Sequence, residues 1–217
     1  MKYKKIRLGA TSALMVSAML ISDSAAVIAV YFLAAVWHEL GHWLAARRLG
    51  VGIKEIRFDY SGVRMVTDDV LTSYRQEAIL AAAGPLFNLL AVALVTLICG
   101  LVGEKELFLT AESFLVGDDT CFSGGFAFFA LASLTQAVTN LLPVGDFDGG
   151  RILFCLLAPP LGEKWARRLC GIASAVSAFI LWTVALYLML RVSAGLGVYA
   201  FAACVFFGTV GKEELKF

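Results

Sequence analysis

The chain has 217 residues, 60% of them hydrophobic and only 16% charged, with a mean hydropathy of +0.82. Ordinary soluble domains carry about 25% charged residues, so the composition points to an integral membrane protein. A formal net charge of +1, without a basic run beyond the first few residues, argues against nucleic acid or another acidic polymer as partner, and the scattered Cys99, Cys121, Cys155, Cys170 and Cys204, without CxxC spacing, argue against a zinc cluster or disulfide framework.

In chain order, the first apolar run is 8–22, behind "MKYKKIR". It fits either a retained transmembrane helix or a signal peptide ending near "SDSAA". The second run, 25–46, contains "HELGH". On a helix His38 and His42 are i and i+4 and share a face, with Glu39 about 100° round from His38. Ionisable groups at membrane depth are expensive unless they bind or pair something. This is the HExxH pattern of zinc hydrolases, in which two imidazoles hold the metal and the glutamate activates a water without ligating. His38 and His42 are the only histidines in the chain. The bland alternative, two neutral core histidines bonded to neighbouring helices, must also bury the Glu39 carboxylate without compensation.

After the second span, "IKEIRFDYSGVRMVT" alternates Ile56, Phe58 and Tyr60 with Arg57, Asp59 and Ser61 and turns at Ser61-Gly62, which predicts a β-hairpin over 51–66. A third span is predicted at 78–102 and a fourth at 125–142, separated by an acidic stretch, 103–124. Pro143 must break the fourth helix, and Gly145, Gly149 and Gly150 permit a re-entrant loop beside the end of the second span. Further spans at 169–190 and 194–210 complete the chain, each near the about 20 residues that cross a bilayer. The predicted fold class is all-α polytopic membrane protein: about six transmembrane helices in a single domain over 1–217, with a small membrane-associated β-hairpin and a re-entrant loop.

Lysine and arginine concentrate in cytoplasmic loops. With both termini inside, this segmentation puts sixteen of the eighteen basic residues on the cytoplasmic side, leaving only Lys105 and Arg191 outside. The expectation is a multi-pass protein of the cell membrane, with Arg47, Arg48, Arg167 and Arg168 as cytoplasmic anchors and Arg151 either snorkelling or paired with Asp146 or Asp148.

A catalytic zinc normally takes three protein ligands and leaves the fourth position to water. With no third histidine and the cysteines poorly placed, the candidate for the remaining ligand is a carboxylate at membrane depth, and "TNLLPVGDFDGGRILF" supplies Asp146 and Asp148. Asn140 is placed either to donate to a developing oxyanion or substrate backbone, or to clamp helices together. Gly84 and Asn88, one turn apart around Pro85, are expected to let the third helix pack closely on the metal helix.

Three separated pieces, "HELGH", "GPLFN" at 84–88 and "NLLPVGDFDGGR", resemble the site-2 protease family of intramembrane zinc metalloproteases, and the compact layout is similar to its sporulation-type branch. The resemblance implies one Zn2+ per chain held by His38, His42 and Asp148, Glu39 as general base, and Asn140, Pro143 and Gly149 within the family's NxxPxxxxDG motif. Two departures stand out: Phe147 replaces the usual aliphatic residue, and Asp146 is an extra carboxylate. There is no room for the PDZ or CBS modules of other branches. The implied function is an intramembrane zinc metalloendopeptidase cleaving a membrane-associated protein near the cytoplasmic face, in regulated intramembrane proteolysis such as transcription-factor precursor processing. Its implied partners are that substrate, the lipid bilayer and a regulatory membrane protein. The rival reading is a non-hydrolytic zinc-binding transporter or scaffold, although no internal repeat of the transporter kind is evident.

Overall fold

The computed structural model describes residues 6–8, 25–59, 62–67, 73–102, 125–145, 147–191 and 201–209. In chain order these form β1 (Ile6–Leu8), α1 (Ala25–Arg48), β2 (Ile53–Asp59), β3 (Gly62–Thr67), α2 (Tyr74–Val102), α3 (Gly125–Leu141), α4 (Asp148–Leu161), α5 (Glu163–Arg191) and a helix α6 over 201–209. The expected span at 8–22 apart from Leu8, the acidic stretch 103–124, Cys121 and Asp146 lie outside the described residues, as does the first part of the span at 194–210. Among the described residues, two helices, over Tyr74–Leu101 and Glu163–Leu190, are long and apolar enough to cross a membrane, and Phe126–Leu141 is a shorter apolar helix.

The packing is that of helices in lipid. Small residues fill the interior: Ala34, Ala81, Ala127, Ala130, Ala132, Ala137 and Ala178 are almost wholly buried, whereas Leu86, Leu97, Ile98, Leu101, Phe126 and Leu190 stand outward. Where lipid is as apolar as leucine, helices associate through close backbone approach and polar contacts rather than by expelling water. α2 is central, packing against α1, α3 and α4. At its contact with α1, a Cβ on Gly41 would lie 2.5 Å from the Ala83 carbonyl oxygen and 2.9 Å from Phe87 Cβ, so this glycine sets the helix separation. Trp37 Nε1 donates to the Phe87 carbonyl at 2.7 Å beside it.

α1 ends because Gly50 takes φ +71°, a left-handed conformation that a side chain would strain. The Val51 amide then reaches back to Ala46 O at 2.9 Å and the Gly50 amide to Arg47 O at 3.3 Å, while Val51 packs on Ala46. This Schellman cap satisfies the last carbonyls and turns the chain into β2. At the start of α2, Ser73 Oγ accepts from the Gln76 amide at 3.3 Å, a side-chain N-cap.

Two expectations are corrected. The sheet is not an isolated two-stranded unit: β2 pairs antiparallel with β3 on one side and parallel with β1 on the other, in the order β1-β2-β3. Ile6, Arg7 and Leu8, read as the lead into a span, are in register with Ile56, Arg57 and Phe58, because a run too short to show alternation still satisfies the amide and carbonyl groups of β2. The loop after Pro143 is also shorter than expected. Residues 142–147 are irregular and α4 starts at Asp148, so Gly149 and Gly150 belong to a helix. Their role is clearance: a Cβ on Gly149 would strike the Leu141 and Leu142 carbonyls, and one on Gly150 the Val144 carbonyl. Glycine pairs suggest a loop in sequence, but here they let the end of α3 lie against the first turn of α4.

Candidate metal centre

Three chain segments deliver the site. His38 and His42 sit one turn apart on α1, Asp148 opens α4, and α2 lies across them. All three side chains are buried, as is Glu39. The α4 position is favourable for a carboxylate, because the first turn of a helix carries partial positive charge. The preceding turn is fixed by bonds from Val144 N to Leu142 O (2.7 Å), Phe147 N to Val144 O (2.9 Å), and Gly145 N to Ser174 Oγ on α5 (3.0 Å). Phe147, the unusual residue before Asp148, is buried among Val144, Ala178 and Val205 and lies parallel to Phe201 of α6 at 6.2 Å. An aromatic residue is accommodated there because α6 supplies an aromatic partner.

The converging atoms are His38 Nε2, His42 Nε2 and Asp148 Oδ2. The two nitrogens lie 3.1 Å apart, and each is 3.2 Å from the carboxylate oxygen. Three hydrogen bonds cannot account for such a triangle. Each ring nitrogen carries at most one proton, directed outward along its own axis, so it cannot serve two edges. A cation at the centre can. Zinc–nitrogen distances of about 2.0–2.1 Å in tetrahedral geometry place ligands about 3.3 Å apart, close to what is found. Two imidazoles and a carboxylate are a donor set that suits zinc.

Gly84 provides an independent test of fit. A Cβ built on it would fall against His42 Nε2 and 2.5 Å from His38 Nε2, in the space toward which the ring nitrogens point. Its missing side chain keeps that space clear. The expected close packing of Gly84 against the helix that carries the histidines is present, as it is at Gly41, and at Gly84 the atoms across the gap are those of the two imidazoles.

Residues around the two histidines orient them. His42 Nδ1 donates to the Leu80 carbonyl at 2.8 Å, and since a carbonyl can only accept, this fixes the tautomer and leaves the Nε2 lone pair for a ligand. Asn88, fully buried, brings its amide Nδ2 to 3.2 Å from His38 Nδ1. Leu80, Gly84 and Asn88 are spaced by four on α2, so one helical stripe faces both histidines. That spacing was available in the sequence, but a backbone carbonyl such as that of Leu80 leaves no residue-type signal. Arg151 pairs with Glu77 of α2, Nη2 to Oε1 at 3.0 Å, and stands 3.8 Å from Asp148 Oδ1. The charge on the outer side of Asp148 is therefore shared with Glu77, which sequence reasoning did not single out.

Asn140 is half-buried in the last turn of α3, and Pro143 follows in the irregular turn. Glu39 lines an open groove of about 550 Å³ whose other walls are Leu33, Val36, Trp37, Leu40, Trp43 and Phe129.

A helical membrane fold with a buried His-His-Asp site next to a glutamate defines the class: a membrane-embedded metal-dependent hydrolase. Residues 25–184 match the model of peptidase family M50, and the chain belongs to that family, the site-2 protease family of zinc metalloproteases. Among solved structures, it is similar to the site-2 protease from Methanocaldococcus jannaschii, with a TM-score of 0.60 and 22% sequence identity over 97% of this chain and 92% of that one. At that identity the likeness concerns the fold. No protein of curated function matches the chain. Family membership makes the chain a metalloprotease and disfavours the transporter or scaffold reading.

Proposed function

We propose that the chain is an intramembrane zinc endopeptidase, with one zinc per chain held by His38, His42 and Asp148, that cleaves a membrane-associated protein near the cytoplasmic face. The observation that carries this reading is the convergence of His38 Nε2, His42 Nε2 and Asp148 Oδ2 within 3.1–3.2 Å of one another across 110 residues of sequence. Zinc bound there supplies Lewis acidity and brings the pKa of water to about 7.

The protein's own groups do the rest. Glu39 accepts the proton of the attacking water and returns it to the leaving amine, so that the amine departs neutral. Asn140 offers an amide donor to the oxygen on which negative charge develops. The apolar groove beside Glu39 suits a hydrophobic substrate segment, whose carbonyls are hidden until it unwinds. The sheet supports an unwinding role, because strand addition holds a peptide extended through main-chain bonds. β2 is paired on both sides, so the edges on offer are those of β1 and β3, and β3 is the strand that packs near α1. The distribution of lysine and arginine supports a cytoplasmic opening of the site and cytoplasmic termini. Processing of a transcription-factor precursor, as the resemblance to sporulation-type relatives suggests, would be one such reaction.

Glu39→Gln is the test. The variant should keep its zinc, lose essentially all turnover, and retain a membrane-associated protein that wild type cuts. Turnover unchanged in Glu39→Gln, or zinc retained at full occupancy in both His38→Ala and His42→Ala, would refute the proposal.

A further inference from the structure

The two ligand histidines are oriented differently, and the difference points to Asn88. A neutral imidazole carries one proton. If Nε2 gives its lone pair to a metal, the proton sits on Nδ1 and needs an acceptor in a buried site. His42 meets this condition through the backbone carbonyl of Leu80 at 2.8 Å. For His38, the group facing Nδ1 is the Asn88 side-chain amide, whose Nδ2 lies 3.2 Å away. An amide nitrogen cannot accept a hydrogen bond. The same side chain has a second mismatch: Asn88 is fully buried and its Oδ1 has no hydrogen-bond partner. A buried amide oxygen without a donor carries the full cost of its desolvation.

One movement resolves both. A half-turn of the terminal amide about its last torsion, which is roughly two-fold and soft, exchanges Oδ1 and Nδ2. Oδ1 then accepts from His38 Nδ1–H, and His38 Nε2 is left with its lone pair directed at the metal. Opposing the turn, Oδ1 comes to stand beside Gln136 Oε1, another acceptor. Nδ2 gives up a contact of 3.5 Å with Gln136 Oε1, while Gln136 keeps its own bond from Nε2 to the Tyr31 carbonyl at 2.9 Å.

We propose that Asn88 is a positioning residue for the metal, its side-chain oxygen holding His38 in the tautomer that ligates through Nε2. It plays for His38 the part that the Leu80 carbonyl plays for His42, eight residues along the same stripe of α2. The inference rests on the zinc-site reading above.

The experiment measures zinc affinity of the full chain in detergent by competition with a chromophoric chelator, alongside the visible spectrum of the Co2+-loaded protein. Asn88→Leu keeps the volume and removes the acceptor; Asn88→Asp keeps an acceptor oxygen. Expected is a fall of about 10–100-fold in zinc affinity for Asn88→Leu, the range found when a partner of a ligand histidine is lost, with a shifted Co2+ spectrum. Asn88→Asp should restore both toward wild type. Should Asn88→Leu not fold, Asn88→Ala against Asn88→Asp makes the same comparison. Asn88→Leu or Asn88→Ala binding zinc within about twofold of wild type, or a folded Asn88→Asp failing as badly as Asn88→Leu, overturns the role of Asn88. Wild type that binds no zinc would instead overturn the zinc-site reading itself, so the two failures are distinguishable.

Discussion

The α1–α2–α4 side of the molecule and the α5–α6 side are built from similarly apolar helices, yet they treat polar groups in opposite ways. On the first side, His38, Glu39, His42, Asn88 and Asp148 are all buried, and three of their atoms aim at one point. On the second, among the described residues, the buried polar residues are Ser174 and Thr209, whose hydroxyls bond to backbone, Ser174 Oγ accepting from Gly145 N–H and Thr209 Oγ1 donating to Val205 O at 2.8 Å, while the buried Trp182 Nε1 finds no partner and converges with nothing. The space between α5 and α6 is filled by rings, with Trp182 nearly parallel to Phe206 at 5.2 Å and Phe179 beside both. Membrane packing alone is content with the second solution. A buried polar cluster in which three side-chain atoms from two helices converge on one point is the arrangement that the proposed metal site requires.

The sharpest way to break this comparison is to remove one converging group. Asp148→Asn should deplete zinc strongly and abolish activity, measured as metal content after purification and as cleavage, because a direct anionic ligand is lost. Asp146→Asn should keep its metal. The reverse result would mean that the ligand lies two residues upstream and that the convergence is coincidental.

Gly84→Ala comes next and tests clearance rather than chemistry. The added methyl group enters the space between the histidine nitrogens, so zinc affinity should fall by more than the about 10–100-fold typical of changes outside the direct ligands. Gly100→Ala is the control, since a Cβ there meets nothing within 4 Å. Equal zinc affinity in the two variants would show that Gly84 does not border the metal.

The smallest effect belongs where the two sides meet. Phe147 joins the α4 turn to α6 by stacking on Phe201, and Phe147→Leu should remove roughly 0.5–1.5 kcal/mol of aromatic pairing. A modest loss in thermal stability with zinc retained fits a residue that supports Asp148 from behind. Loss of zinc without loss of stability would mean that Phe147 acts on the site itself.

Composition alone marks the membrane class, and residue types and spacing single out the ligand candidates. Histidine and glutamate in an apolar helix are expensive enough to be conspicuous, and i, i+4 spacing needs only helical geometry to put His38 and His42 on one face. The sequence also brought the choice of third ligand down to two carboxylates two residues apart. It did not reveal α4, because Gly149 and Gly150 carry low helix propensity and their reason for being glycine is the carbonyls of Leu141, Leu142 and Val144, contacts that exist only once α3 and α4 are packed. For the same reason the sequence could show that Gly84 and Asn88 let α2 lie close to α1 but not which atoms they meet there. What distinguishes a glycine that brings helices together, Gly41, from one that clears room beside two imidazoles, Gly84, is the identity of the atoms across the gap. Those atoms come from another helix, and only tertiary structure brings them there.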